Sequence, residues 1–274
     1  MPELPEVETV RRVLEKRIAG RRIVGLEVRD PRLRTPLDPA ALHAALVGRS
    51  IVHVARRSKY LLLHLSGDRV LVVHLGMTGN LRVARGDDVL EPHTHVRIAL
   101  GGGEELRYAD PRRFGMLFEI GQAEIASHPR LGSIGPEPLE PGFDAQWLVQ
   151  RAARVRKPIK NFLLDGRVVA GVGNIYACEA LYRAGVHPRR AAGRLAAERW
   201  QVLCAALRTV LSLALRDGGT TLQDYRDAEG RSGAFQLRLR VYGREGHRCR
   251  RCRGTIRRIV QAGRSTFYCP GCQR

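Results

Sequence analysis

Pro2 follows the initiator Met, and Glu3 follows Pro2. Proline is small enough for Met1 to be removed ahead of it, which would leave a free secondary amine. Such an α-amino group titrates at about 7.7–8.0, so part of it is neutral and nucleophilic at physiological pH without the desolvation a lysine requires. Amine nucleophiles work through Schiff bases, and a carboxyl one residue away can carry protons between amine, substrate and water. A second chemical signal lies near the other end: Cys249-x-x-Cys252 and Cys269-x-x-Cys272, with residues 253–268 between the pairs. That is the four-thiolate pattern of a structural zinc site. The other use of such cysteines is disulfides, which a reducing compartment disfavours. With all four thiolates on one Zn2+ none is left as a nucleophile. Cys178 and Cys204 fall in helical stretches as small hydrophobes.

Three further stretches carry more charge or bulk than a strand needs. Arg56 to Tyr60 sets consecutive cations before an apolar run; Lys59 there could meet a phosphate or give a proton, and fits a solvated strand end as well. His74 to Gly79 places Met77 between two glycines, where a tight turn would project it outward or fold it back as core filler. Asp110 to Gly115 reads as a loop bearing Arg112 and Phe114, and apolar side chains and arginines on loops can occupy the space of an extruded nucleotide. His93 and His95 have metal-compatible spacing, but the sequence around them completes no recognised ligand set. Gly171 and Gly173 precede a helix at Asn174, exposing backbone N–H groups to which a phosphate could come close, with Arg156 and Lys160 nearby.

The elements that must position these residues are partly legible. Pro5, Glu6 and Glu8 suit a first helical turn, and Val7, Val10, Leu14 and Ile18 keep helical spacing until Gly20. Taken alone these residues also fit a capped amphipathic helix with no chemistry. From Arg21 to about Ile120 the pattern predicts strands at Ile23–Val28, Ser50–Val54, Tyr60–Leu65, Val70–Leu75, Asn80–Val83, His95–Leu100 and Glu105–Ile120. Spacings near ten residues suggest a sandwich or barrel, with the first helix laid against a sheet edge. Residues 129–142 are rich in Pro and Gly, and helices are expected beyond them at Ala145–Val155, Pro158–Leu164, Asn174–Ala184 and Ala196–Arg216. The last carries one apolar stripe, Trp200, Leu203, Leu207, Val210, Leu211 and Ala214. Thr255–Val260 and Ser265–Tyr268 read as a hairpin between the cysteine pairs, with Arg264 at its tip. The expected division is 1–130, a linker 131–143, a helical domain 144–240 containing a polar loop 217–240, and a zinc module 241–274.

The chain has 47 Lys plus Arg against 27 Asp plus Glu, a net charge of +20. Such an excess on a globular chain with 44% hydrophobic residues points to a polyanion, nucleic acid first. Its start has no secretory apolar region, and no stretch approaches the roughly 18 apolar residues of a membrane span. A soluble, cytoplasmic protein with no membrane partner is expected.

The strings MPELPEVETV, HLGMTG, PHTH, DPRRFG, the Gly171–Asn174 turn and the four-cysteine end, in this order, resemble the bacterial formamidopyrimidine-DNA glycosylases over essentially the whole chain. The resemblance implies an α+β multidomain fold: an amino-terminal β-sandwich with a flanking catalytic helix, a helix-two-turns-helix domain and a zinc-finger hairpin. It implies a bifunctional glycosylase and apurinic/apyrimidinic lyase excising 8-oxoguanine and formamidopyrimidines from duplex DNA. Pro2 would attack C1′, Glu3 would protonate the sugar oxygen, and Lys59 and Arg264 would assist β- and δ-elimination. Met77, Arg112 and Phe114 would fill the gap in the duplex. His93, Arg156, Lys160 and Asn174 would contact DNA, Arg156 standing where some members carry Lys. Loop 217–240 would close over the damaged base, although a plain surface connection fits it too. One structural zinc and a monomer are expected. The sister endonuclease VIII-like enzymes, which remove oxidised pyrimidines, and a non-catalytic zinc-containing DNA-binding protein are the competing readings.

Overall fold

The structure, a computed structural model, describes residues 2–220 and 233–274. The described chain forms two compact units, residues 2–132 with 217–220 and 233–234, and residues 133–216 with 235–274. No helix among the described residues is long and apolar enough to cross a membrane.

The first unit opens with α1, Leu4–Ile18, started by a capping box in which the Glu3 carboxylate accepts the Glu6 amide and the Glu6 carboxylate accepts the Glu3 amide at 2.8 Å. Val7, Leu14 and Ile18 are fully buried, as helical spacing predicts. Eight strands follow: β1 Ile23–Val28, β2 Ile51–Arg57, β3 Tyr60–Leu65, β4 Arg69–His74, β5 Asn80–Arg85, β6 Thr94–Leu100, β7 Glu104–Ala109 and β8 Met116–Gly121. They pair antiparallel in two sheets, ordered β1-β6-β7-β5 and β2-β3-β4-β8. Alternation sends Leu61, Leu63, Leu71 and Val73 from one sheet, and Leu81, Val96, Ile98 and Leu106 from the other, into a common core.

The expected run Glu105–Ile120 is two strands, not one. Asp110-Pro111 ends β7 in the first sheet, and β8 begins in the second. The sequence reading assigns no element to residues 29–49, yet α2 spans Pro39–Leu46, with the Asp38 carboxylate accepting the Ala40 and Ala41 amides at 3.0 Å. Helix α1 packs on β2 and β5, and α2 on β1 and β8. These four are the edge strands, so each open side of the sandwich carries a helix. The α1 side also satisfies exposed backbone: Arg11 donates to the Val54 carbonyl at 3.2 Å, and the Glu15 carboxylate accepts the Val54 amide.

The second unit contains α3 Ala145–Ala152, α4 Ile159–Leu163, α5 Asn174–Ala184, α6 Ala197–Arg216 and the hairpin of β9 Arg257–Gln261 with β10 Arg264–Tyr268. The α6 stripe is buried as expected, Trp200 meeting Phe162 edge-on at 5.6 Å. Cys178 and Cys204 are buried in α5 and α6. Together the parts are those of the expected fold: sandwich with flanking helix, helical domain and four-cysteine hairpin.

Candidate functional site

Strand register gathers the candidate residues of the first unit at one end of the sandwich. In the second sheet Tyr60 pairs with His74, and His74 with Met116. In the first sheet Asn80 pairs with Ala109, and Ala109 with Thr94. Hence the turn holding Lys59, the corner holding Met77, the corner holding Arg112 and Phe114, and His93 all leave the sheets at the same end. Helix α1 points its start the same way: Glu15 lies by Val54, while Glu8 pairs with Arg56 at 3.2 Å, closer to the Lys59 turn. Pro2 and Glu3, both buried, sit one turn further along. Burial alone would raise the Glu8 pKa, but the guanidinium groups of Arg11, Arg12 and Arg56 hold it below the usual carboxylate range.

Both corners carry the chain from one sheet to the other, β4 to β5 and β7 to β8, and they run side by side. A side chain at Gly76 would strike the Phe114–Gly115 backbone, and one at Gly115 would overlap the Tyr108 hydroxyl. Asp110, fully buried, stitches the corners together. Its carboxylate accepts the Thr78 hydroxyl at 2.6 Å, the Gly115 amide at 2.8 Å and the Tyr108 hydroxyl at 3.3 Å. Burial and the adjacent Asp110 push the Tyr108 phenol far above its ordinary pKa, so it stays a donor. His95, buried, donates from Nε2 to the Asp110 carbonyl at 2.8 Å, so its place is structural rather than ligating. What these supports present is exposed: Met77 at 40%, Phe114 at 43%, with the Arg112 guanidinium over the Phe114 ring at 4.8 Å. Met77 is therefore not core filler. His93 itself, and Ser58 and Arg113 beside the other candidates, are held at positive φ, conformations that cost on the order of 1–3 kcal/mol and persist where neighbours impose them. Arg113 is held by Asp30 at 2.6 Å.

His74 was not singled out by sequence, yet it supports the Met77 corner. Its Nδ1 accepts the Gly76 amide at 3.0 Å. Burial first, then the cations Lys59, Arg34 and Arg130, lowers its pKa to about 4, which keeps the ring neutral and able to accept. Glu6 was likewise missed as more than a helix-start residue: besides the Glu3 amide, its carboxylate accepts the Thr220 amide at 2.7 Å. Residues 221–232 of the expected loop 217–240 lie outside the described residues.

In the second unit Lys160 and Asn174 both hold the hairpin. The Lys160 ammonium, fully buried, donates to the Thr266 hydroxyl at 2.6 Å, and the Asn174 amide donates to the Ser265 carbonyl at 2.9 Å. Arg156 is exposed ahead of α4. Arg264 is the first residue of β10, opposite Gln261, so the turn proper is Ala262-Gly263, both at positive φ. Its exposed side chain shares a shallow hollow with Lys157, Asn161 and Arg167.

The sulfurs of Cys249, Cys252, Cys269 and Cys272 all lie within 4.8 Å of one another. Burial opposes ionisation of Cys249, yet hydrogen bonds, among them one from the Tyr182 hydroxyl at 3.2 Å, draw it down to about 6. Burial and the neighbouring sulfurs push Cys272 well up instead. Four thiolates this close repel, and a divalent cation supplies the charge that lets all ionise. The donor set fits one structural Zn2+, which would pin the hairpin base.

Three family signatures cover most of the chain: the formamidopyrimidine-DNA glycosylase N-terminal domain at residues 1–117, the formamidopyrimidine-DNA glycosylase H2TH domain at 134–226, and the zinc finger found in FPG and IleRS at 246–274. Formamidopyrimidine-DNA glycosylases of Thioalkalivibrio sulfidiphilus and Hahella chejuensis are each 47% identical over 274 residues, covering 100% of both chains. A Lactococcus lactis FPG mutant in complex with Fapy-dG-containing DNA superposes with a TM-score of 0.93 at 37% identity, covering 100% of both chains. The wild-type Lactococcus lactis enzyme in complex with an oxidised-pyrimidine-containing DNA gives 0.92 at 38%, again with 100% of both chains covered. With a Pro2-Glu3 start, two stitched corners and a four-cysteine hairpin in place, this chain belongs to the formamidopyrimidine-DNA glycosylase family.

Proposed function

We propose that the chain is a bifunctional DNA glycosylase and apurinic/apyrimidinic lyase that removes oxidised purines, 8-oxoguanine and formamidopyrimidines, from duplex DNA. The observation that carries this is family membership along the full chain together with an intact Pro2-Glu3 pair at the end of the sandwich that also bears the exposed Met77, Arg112 and Phe114. The damaged nucleotide is extruded, and those three side chains take the space it leaves. The Pro2 amine, freed by loss of Met1, attacks C1′; the base departs, and Glu3 protonates the sugar oxygen as the ring opens to an iminium. The iminium acidifies the neighbouring C2′–H, and β- then δ-elimination expels the flanking phosphates, with Lys59 and Arg264 assisting. His93, Arg156 and Asn174 serve the DNA backbone; Lys160, fully buried, serves it only indirectly by holding the hairpin through Thr266, and zinc holds the hairpin without entering the chemistry. The protein works as a cytoplasmic monomer, since a single lesion has no twofold symmetry to match.

Borohydride reduction during turnover of a lesion duplex should trap a covalent protein–DNA adduct. A Pro2→Gly chain whose terminus remains blocked by Met should trap none, and an unchanged yield would sink the assignment. The purine reading predicts faster excision of 8-oxoguanine than of an oxidised pyrimidine in the same duplex; the reverse order places the chain with the pyrimidine-specific reading.

A further inference from the structure

The second unit holds a hollow of about 370 Å³ bounded by the carboxyl half of α5, the carboxyl-terminal part of α6, the short turn Phe235–Arg238 and the first zinc knuckle. Five guanidinium groups line it: Arg183, Arg238, Arg240, Arg250 and Arg251. Part of its wall is apolar, from Val210, Leu213 and Phe235. Glu179 is the one acidic lining residue among the described residues, and it is already engaged. Buried at 4% exposure, it accepts the amides of Arg240, Val241 and Tyr242 at 2.9–3.1 Å. Arg183, Arg240, Arg250 and Arg251 form no ion pair among the described residues. The Arg251 guanidinium is held over the Tyr182 ring at 4.9 Å, which fixes its position before any ligand arrives.

This hollow is remote from the residues assigned to DNA within the same unit. Tyr182 stands about 12 Å along α5 from Asn174 at the usual helical rise. Arg250 and Arg251 belong to the knuckle, at the opposite end of the hairpin from Arg264. Arg183, Arg240, Arg250 and Arg251, without an ion pair among the described residues, offer guanidinium groups, which only donate. A nucleobase needs acceptors as well as donors, and the Glu179 carboxylate already holds three amides. A duplex backbone brings acceptors but nothing apolar for the wall, and a rod does not enter a concavity. Carboxylates flanking one apolar side chain match both features, since guanidinium forks receive carboxylates bidentately.

We propose that this hollow docks an acidic segment of a partner protein, one aliphatic or aromatic side chain lying against Val210, Leu213 and Phe235 while its carboxylates pair with Arg183, Arg240, Arg250 and Arg251. The contact recruits the enzyme and leaves its DNA-facing residues free.

The probe is a fluorescein-labelled synthetic peptide of aspartates around one phenylalanine, titrated by anisotropy against the full zinc-loaded chain. Saturable binding is expected, weakened tenfold or more when serine replaces the phenylalanine, and likewise in an Arg183→Glu, Arg250→Glu chain that keeps wild-type zinc content and lesion excision. If that chain does not fold, Arg183→Gln with Arg240→Gln should weaken binding in the same direction. Absence of saturable binding, equal affinity for the serine peptide, unchanged affinity in the arginine variants, or stoichiometric displacement of the peptide by lesion duplex would each overturn the proposal. The last result would assign the hollow to DNA.

Discussion

The Lys160 ammonium and the Thr266 hydroxyl meet at 2.6 Å with both residues wholly buried, so the position of β10 is set by a charge inside α4. A buried ammonium short of an acceptor is costly. Thr266→Val should lower the unfolding free energy by about 1–3 kcal/mol, read by urea titration. Lys160→Met together with Thr266→Val should cost clearly less than the two separate losses added. Simple additivity would show that the pair does not act as a unit.

Arg112, exposed on a stitched corner, lies over Phe114. Once a lesion leaves the stack, the orphaned partner base offers its Watson–Crick edge. Cytosine presents two acceptors there, whereas adenine pairs its acceptor with a donating amino group, and guanidinium only donates. Arg112→Ala should therefore slow excision opposite cytosine far more than opposite adenine, by about 1–3 kcal/mol of discrimination. Met77→Ala removes wedge volume only and should slow both alike. Single-turnover rates on the two duplexes decide it: an unchanged ratio in Arg112→Ala removes this residue from base reading.

Asp110 accepts three donors, and an asparagine amide in its place turns one acceptor into a further donor. Asp110→Asn should misplace both corners and slow excision from duplex tenfold or more. Borohydride trapping on a single-stranded abasic oligonucleotide, which needs no wedge, should change little. Equal losses in the two assays would mean that Asp110 serves only general stability.

His74 is held neutral in the folded chain, with a pKa of about 4. In the unfolded chain it titrates near 6.5. Between those values the unfolded chain takes up a proton that the folded chain refuses, so stability is complete above pH 6.5 and falls as pH drops toward 4. A shift of that size corresponds to roughly 3 kcal/mol. In His74→Gln this share of the pH dependence should vanish. Identical differences in unfolding free energy between pH 7 and pH 4.5 for both chains would exclude it.

One zinc per chain should be measurable, and Cys249→Ser should lose metal and DNA affinity together. Full zinc content in a chain lacking both Cys249 and Cys252 thiols would refute the site.

What the sequence disclosed was what its neighbours in sequence determine. The cysteine pairs announce their ligand set by local spacing, and Val7, Leu14 and Ile18 announce a buried face by period. Pairing of strands is non-local, and there the reading stopped: nothing within Glu105–Ile120 says that Asp110 marks a crossing between sheets. Asp110 looks like an ordinary turn residue until Thr78 and Gly115 are brought to it. Lys160 reads as a DNA-facing cation for the same reason, since Thr266, which accepts from it, lies on β10. The missed α2 is different. Asp38-Pro39 is a local start signal, obscured by prolines at 31 and 36 that suggest only loop.

The placement of α1 on β2 and β5 also sets a timetable. Pro2 leaves the ribosome early, but the strands its helix rests on arrive later, with Asn80–Arg85 the last of them. Contacts that span so much chain form late in folding. On the proposed mechanism, a nascent or truncated chain would carry a free prolyl amine and still be inert, because nothing yet holds that amine against a sugar. Competence would then wait for the sandwich to close, which would keep a reactive terminus harmless during synthesis.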